Sequence, residues 1–199
     1  MRSLTTFAVL ATLGASAFAA PPVTPRPAKE LEIVEPGGKH DLLTSYKGKV
    51  VVVQFLSTAC SHCQAYSKML TKLQGEYGSK GFQALGGAFI ESEPAQVSNY
   101  IKQFQVVFPV GSVPRDTVLS FMGFSIMDRL VVPQIALIDR KGQIREQTEA
   151  NPSGPPPLQD EIHLRASIEK LLAEGGTGKA APAPTTGSSA KATTKKSVS

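Results

Sequence analysis

Along most of this chain, continuous apolar runs alternate with segments in which apolar residues recur at helical spacing. Residues 50–56 form a largely apolar run that begins with four β-branched valines, which is typical of a strand buried on both faces of a sheet. After Cys60, apolar side chains recur at helical spacing, and Lys68, Lys72 and Glu76 occupy the opposite side of that helix. A buried strand followed by an amphipathic helix is therefore the first unit that the sequence predicts.

The same order continues towards the C-terminus. The predicted elements are strands over 82–90, 106–110, 134–139 and 143–147, and helices over 94–104, 116–124 and 162–173. Residues 140–142 are expected to join the last two strands as a hairpin. Residues 151–157 are expected to form a surface loop, which is either a plain insertion or a part of a partner site. This order predicts an α/β fold with a mixed central β-sheet flanked by helices on both faces.

The two ends of the chain differ from this core. Residues 1–19 begin with a positive charge, continue with a short apolar stretch and end in a small–x–small pattern, which predicts a cleaved signal peptide. The apolar stretch is too short for a membrane helix of about 20 residues. We expect a proline-rich linker over residues 20–28. The folded domain is expected over residues 29–174, and a disordered basic tail over residues 175–199. We therefore expect an exported protein, periplasmic or otherwise extracytoplasmic, that is soluble after cleavage.

The formal net charge of +5 does not indicate binding to nucleic acid. Arg2 and four lysines of the tail account for five of the 21 basic residues, and the remaining 16 balance the 16 acidic residues. A protein that binds nucleic acid needs basic residues clustered on a folded face. We expect no nucleic acid partner.

The strongest chemical signal is the sequence Cys60-Ser61-His62-Cys63, between the first predicted strand and helix. These are the only cysteines of the sequence, and a bridge between them would close too small a loop to stabilise the fold much. A helix N-terminus stabilises a thiolate, and a second thiol one turn later can attack a mixed disulfide. We predict Cys60 as the nucleophile and Cys63 as the resolving thiol, with Ser61 and His62 as supporting residues.

The surrounding sequence resembles the thioredoxin-fold superfamily, in particular the exported thiol–disulfide oxidoreductases of the TlpA/ResA type. Residues 41–49 are similar to the N-terminal extension of that family, residues 55–63 to its strand and active-site turn, and residues 132–142 to its cis-proline loop and hairpin. The resemblance covers residues 31–172. It implies a thioredoxin-like fold with an N-terminal extension.

The resemblance also implies roles for three residues outside the cysteine motif. Pro133 is expected to be a cis-proline packed beside the two sulfurs. The backbone of Val132 is expected to hydrogen-bond to a bound peptide. Glu91 lies where the family often has an acidic residue that relays protons to the buried cysteine; a solvated loop carboxylate is the alternative.

Three departures from the family pattern leave the redox direction open. Ala59 stands where an aromatic residue is usual, and Gln54 replaces the buried carboxylate of thioredoxin, so it cannot act as a general base. Ser61 and His62 stand where reductases commonly have Gly-Pro or Glu-Pro. A His in this dipeptide is familiar from oxidases and isomerases, so an oxidase or isomerase is the alternative to the expected reductase.

These features predict an exported protein thiol–disulfide oxidoreductase. Its substrates would be thiols and disulfides of exported proteins, and a reductase would need an electron donor that spans the membrane. No metal and no cofactor are expected beyond the redox-active disulfide of Cys60 and Cys63.

Two other functions remain open at this point. A Cu(I)-binding metallochaperone is favoured by two thiolates and an imidazole, although the usual relatives have three residues between the cysteines, and His40 and His163 are remote in the sequence. A peroxiredoxin-like peroxidase is the third hypothesis, but Thr58 lies two residues before Cys60 where that family has three.

Overall fold

The computed structural model describes residues 23–174. The predicted signal peptide over 1–19, residues 20–22 of the predicted linker and the predicted tail over 175–199 lie outside the described residues. Between residues 23 and 174, no helix combines the length and the apolar character that a bilayer crossing requires.

Eight strands and four helices make up the described part of the chain. The strands are β1 (Arg26–Pro27), β2 (Glu32–Val34), β3 (His40–Leu42), β4 (Val50–Ser57), β5 (Phe82–Ile90), β6 (Val110–Ser112), β7 (Gln134–Ile138) and β8 (Gln143–Gln147). The helices are α1 (Ser61–Tyr77), α2 (Pro94–Phe104), α3 (Arg115–Met122) and α4 (Glu161–Glu174).

The eight strands form one mixed sheet in the order β1-β8-β7-β4-β5-β6-β2-β3. β4, β5 and β6 run parallel to one another, so their carboxyl ends meet at one edge of the sheet. β7 runs antiparallel to β4, and β8 runs antiparallel to β7. Consequently the turn after β4, the loop before β7 and the residues after β8 all lie at that same edge.

Helices pack on both faces of the sheet, which confirms the predicted α/β architecture. On one face, α1, α2 and α4 bury an apolar core that includes Leu70, Val97 and Ile168. On the other face, α3 packs against β4, with the rings of Phe121 and Phe55 5.5 Å apart. Each large side chain that is fully buried stabilises the fold by about 1.5–3 kcal/mol.

The prediction of a strand over 106–110 is wrong, because the first residue of this segment belongs to the turn that ends α2. Gln105 adopts a left-handed conformation with φ of 52°, and the N–H of Val106 donates to the carbonyl of Ile101 at 3.0 Å. Pro109 then offers no N–H to a neighbouring strand. Strand β6 therefore begins only after Pro109, and the apolar pattern of this segment reflects burial rather than sheet pairing.

Helix α3 also differs from its prediction over 116–124. It ends at Met122 because Gly123 adopts φ of 71°, and the N–H of Phe124 then donates to the carbonyl of Leu119 at 2.9 Å. This is the usual left-handed end of a helix, which glycine adopts without strain.

The N-terminal part holds three strands that the pattern does not predict. β2 and β3 form a hairpin that joins the sheet beside β6. β1 pairs with β8, so residues 26–27 of the predicted linker form an edge strand of the sheet. Each of these strands has two or three residues, which is too short for a periodic signal.

Candidate active site

Cys60 lies at the junction of β4 and α1, where it caps the helix. Its backbone is extended, and its Sγ accepts the backbone N–H of Cys63 at 3.3 Å. Serine or aspartate oxygens perform this role at most helix N-termini. The free N–H groups and the positive end of the helix dipole favour negative charge on the capping sulfur.

Cys63 lies one turn further along α1 in a different environment. Its side chain is fully buried, whereas Cys60 is partly exposed, and both thiols are free. Burial is the main cause that raises the pKa of the Cys63 thiol, and its hydrogen bond with Cys60 adds to the rise. The site therefore combines an accessible sulfur at a helix N-terminus with a buried, neutral one.

The loop before β7 brings a proline next to these sulfurs. The Val132–Pro133 peptide bond is cis, as the resemblance implies. The thiol of Cys60 lies 3.9 Å from the carbonyl oxygen of Val132. Gln159 fixes the loop from the other side, because its side-chain amide donates to the carbonyl of Pro133 at 3.2 Å.

The side chain of Gln134 also holds this loop, although the sequence pattern does not single it out. Its buried amide donates to the carbonyls of Val131 at 2.6 Å, Glu149 at 3.0 Å and Ala150 at 3.2 Å. Its carbonyl oxygen accepts the hydroxyl of Thr148. A polar residue that directly follows Pro133 at the start of a buried strand is the one sequence signal for this role.

A buried set of three polar side chains surrounds the backbone of Cys63. We call Gln54, Ser67 and Tyr100 the inner network. The Gln54 amide and the Tyr100 hydroxyl lie 2.9 and 3.1 Å from the Cys63 carbonyl oxygen, and the Ser67 hydroxyl lies 2.7 Å from both Gln54 Oε1 and the Tyr100 hydroxyl. Burial raises the pKa of Tyr100 to about 12, so the network is uncharged at neutral pH.

Only Gln54 of the inner network emerges from the sequence, as a departure from the family pattern. Ser67 follows Cys63 by four residues, which places both on the buried side of α1. Tyr100 belongs to the apolar face of α2. The sequence signal for their contact is that each of these buried helix faces contains a hydroxyl, because buried hydroxyls need hydrogen-bond partners.

Glu91 lies at the turn after β5, beside the turn that presents Cys60. Its carboxylate accepts the hydroxyl of Ser57, and its backbone carbonyl accepts the hydroxyl of Thr58 at 2.9 Å. Ser57 in turn accepts the N–H of Ala59 at 3.3 Å. Among the described residues, the Glu91 carboxylate makes no hydrogen bond to either sulfur, so it contacts the active-site turn rather than the thiols.

Ser61 and His62 are exposed in the first turn of α1. The other two histidines of the sequence are not brought to this site: His40 and His163 are each hydrogen-bonded to a carboxylate elsewhere in the fold. Within residues 23–174, no group of three or more His, Cys, Asp or Glu side chains is arranged to hold a metal ion. The geometry therefore offers a dithiol beside a cis-proline, a combination that is chemically suited to thiol–disulfide exchange.

Comparison with known proteins places the chain among thiol–disulfide oxidoreductase relatives. The model of a family described as Redoxin matches residues 18–162 of the chain. Two curated relatives are the thiol-disulfide oxidoreductases ResA of Bacillus thuringiensis subsp. konkukian and of Bacillus cereus (strain ZK), 27% and 31% identical over 110 residues. Each match covers 55% of this chain and 60% of the relative.

Solved structures show the same fold. A thiol:disulfide interchange protein of the thioredoxin family from Chlorobium tepidum TLS matches with a TM-score of 0.63 at 24% sequence identity. The match covers 76% of this chain and 99% of that chain. The fold is therefore thioredoxin-like, as the resemblance implies.

Proposed function

This chain belongs to the Redoxin family, and on that premise we propose that it is an exported thiol–disulfide oxidoreductase. The observation that carries the proposal is the contrast between the two thiols of one helical turn. Cys60 caps α1 beside the carbonyl of Val132, and Cys63 lies fully buried behind it. The names of the curated relatives support the same activity.

The exchange reaction follows from this contrast. The thiolate of Cys60 attacks one sulfur of a partner disulfide, a bond forms between the two sulfurs, and the partner's second sulfur leaves as a thiolate. The thiol of Cys63 then gives its proton to solvent or to a departing thiolate and attacks the Cys60 sulfur, which releases the partner's first sulfur as a thiolate. Two electrons have passed to the partner, and Cys60 and Cys63 end as a disulfide, so that no further cofactor is needed.

The neighbouring residues are proposed to position the reactants. The backbone of Val132 would hydrogen-bond to the partner's chain, because it adjoins the attacking sulfur. The hydrogen bond from the Gln159 side chain to the Pro133 carbonyl would hold this backbone in place. Glu91 would support the turn before Cys60 through its hydrogen bond with Ser57. Ser61 and His62 form the exposed first turn of α1, on which the partner would lie.

The proposed partners are thiols and disulfides of exported proteins, because residues 1–19 have the pattern of a signal peptide. The redox direction follows from the reduction potential of the dithiol. A potential near or below about −250 mV would make the protein a reductase, supplied by an electron donor in the membrane. A potential of about −120 to −180 mV would make it an oxidase or isomerase.

The decisive experiment compares two cysteine variants with the wild type. Reduced protein is mixed with a peptide disulfide, and the released thiol is followed after alkylation by mass spectrometry. Cys60→Ser should abolish the exchange, since Cys63 is buried. Cys63→Ser should stop after the first step and accumulate a mixed disulfide at Cys60.

The contradicting outcome is equally clear. Exchange at the wild-type rate in Cys60→Ser would exclude this residue as the nucleophile and with it the proposed mechanism. Urea unfolding of both variants serves as the control that each is folded.

A further inference from the structure

A cleft of about 470 Å³ lies next to the loop that carries the cis-proline. One wall is formed by residues 146–149, at the end of β8. The other wall is formed by residues 152–158, which include four prolines, and Thr24 completes the lining. Because proline fixes its own φ angle, this wall is stiffer than an ordinary loop of its length.

Hydrogen bonds join both walls of the cleft to the cis-proline loop. The amide of Gln134 donates to the carbonyl of Val131 and to that of Glu149, which lines the cleft. Gln159 directly follows the second wall and donates to the carbonyl of Pro133. Since only β7 separates β4 from β8, and neighbouring strands are about 4.8 Å apart, the cleft begins roughly 10 Å from the dithiol.

Among the described residues, the outer side of β8 is paired with another strand over only part of its length. β1 pairs with Gln143 and Ile144 of β8, and the described residues provide no strand beside residues 145–147 on that side. The side of a strand that has no paired neighbour can bind an extended chain through its backbone N–H and carbonyl groups. The occupant that fits this edge is therefore an extended peptide segment.

The charge of the cleft indicates which peptide would fit. Its lining contains the carboxylates of Glu146 and Glu149 and no lysine or arginine. The Glu146 carboxylate is hydrogen-bonded to His163 and Ser167, whereas Glu149 is exposed. A basic side chain would be favoured here and an acidic one disfavoured.

We propose that the cleft binds an extended segment of the disulfide-carrying partner that has Lys or Arg close to its cysteine. The proposal rests on the function proposed above and assigns a substrate class to it. The partner's cysteine would lie against Cys60 and Val132, and its chain would continue past β7 to the edge of β8. The cleft itself takes no part in the electron transfer, which proceeds between sulfurs as described.

The test uses three disulfide-linked peptide dimers that differ only in having Arg, Ala or Glu on the side of the cysteine that faces the cleft. Reduced wild-type protein is mixed with each peptide in a single turnover, and mixed-disulfide formation is quenched and counted by mass spectrometry. We expect the Arg peptide to react about two- to fivefold faster than the Glu peptide at low ionic strength. The ratio should approach one in about 1 M salt, where charges are screened within about 3 Å.

Two charge-reversal variants make the test specific. Glu149→Lys should reverse the order of the Arg and Glu peptides. Asp116→Lys changes the net charge equally on the exposed side of α3, outside the cleft, and should leave the order unchanged. If both variants shift the order alike, net charge is the cause and the cleft inference fails.

The remaining outcomes separate this inference from the proposed function. Equal rates for all three peptides with the wild type would overturn the cleft inference and leave the oxidoreductase activity standing. No exchange with any peptide, under conditions where the protein is folded and reduced, would overturn both.

Discussion

Cys60 and Cys63 share one helical turn, yet the protein surrounds the two sulfurs in opposite ways. Around Cys60, the groups are backbone N–H donors of α1, a backbone carbonyl of Val132 and solvent. Around Cys63, they are apolar side chains and the uncharged inner network of Gln54, Ser67 and Tyr100. The outer region can therefore support a negative charge, whereas the inner region disfavours one.

This difference assigns the two chemical steps to two environments. An attacking thiol needs access to the partner and a setting that tolerates negative charge, and a partly exposed sulfur at a helix N-terminus has both. A resolving thiol has to lie close to the first sulfur and to lose its proton only after the mixed disulfide has formed, and a buried, neutral thiol stays unreactive towards other partners until then. The inner network places no charge beside this thiol, because none of its groups ionises near neutral pH.

The largest effect is expected from a change that gives the inner region an ionisable group. In Gln54→Glu, the protonated carboxyl can replace the amide as a donor to the Cys63 carbonyl, so the variant should be near wild-type stability at pH 4. Burial raises the pKa of a carboxyl above its unfolded value of about 4.3. As pH rises above that value, the unfolded chain releases its proton first, and stability falls by about 1.4 kcal/mol per pH unit until the folded-state pKa is reached.

We expect Gln54→Glu to lose about 4 kcal/mol of stability between pH 4 and pH 8, relative to the wild type. Urea unfolding at several pH values measures this loss. Gln103→Glu, on the exposed side of α2, is the matched control and should change little over the same range. A Gln54→Glu variant whose stability does not depend on pH would show that the inner region admits water or charge.

The next effect in size is a difference in reactivity between the two thiols. Cys63→Ser leaves Cys60 as the only thiol, and Cys60→Ser leaves Cys63. At pH 7 we expect iodoacetamide to alkylate Cys60 at least about a hundredfold faster, because burial limits access to Cys63 and raises the pKa of its thiol.

Mass spectrometry of timed samples gives both alkylation rates. The rate at Cys63 should climb as the solution becomes more alkaline, since its thiolate forms only there, and it should rise sharply in urea. Equal rates for the two variants in native buffer would contradict the contrast between the two regions.

The sequence predicts the outer region better than the inner one. Cys60, Cys63 and Pro133 belong to short motifs, and a strand before the first cysteine with an amphipathic helix after it determines where they meet. The inner network joins β4, α1 and α2, so its contacts depend on how two helices pack on one face of the sheet. Periodicity predicts that Ser67 and Tyr100 lie on buried helix faces, but it contains no information about which buried hydroxyls meet.

The same limit explains the errors in the fold. The apolar residues over 106–110 predict a strand, yet Gln105 adopts a left-handed conformation that ends α2 there. Edge strands such as β1 and β3 form because another strand offers hydrogen-bonding groups, which is a property of the folded sheet rather than of the local sequence. Gln134 likewise acts through carbonyls that come from two separate loops.

The smallest effect concerns the two hydroxyls of the inner network. Tyr100→Phe keeps the ring in the core and removes only its hydroxyl, so the Cys63 carbonyl retains the amide of Gln54. We expect a loss of about 1 kcal/mol. Ser67→Ala should cost about the same, because the Gln54 oxygen then loses its donor.

The double variant measures whether these hydroxyls act together. The hydroxyl oxygens of Ser67 and Tyr100 lie 2.7 Å apart. Removing one hydroxyl should therefore cost less stability when the other is already absent. We expect urea unfolding to give a coupling free energy of about 0.5–1 kcal/mol between the two substitutions. Tyr77→Phe, which removes a hydroxyl that bonds to α4 instead, should add independently to Ser67→Ala. Strict additivity of Ser67→Ala and Tyr100→Phe would mean that the two hydroxyls support Cys63 separately, and the inner region would then be a set of single contacts instead of one network.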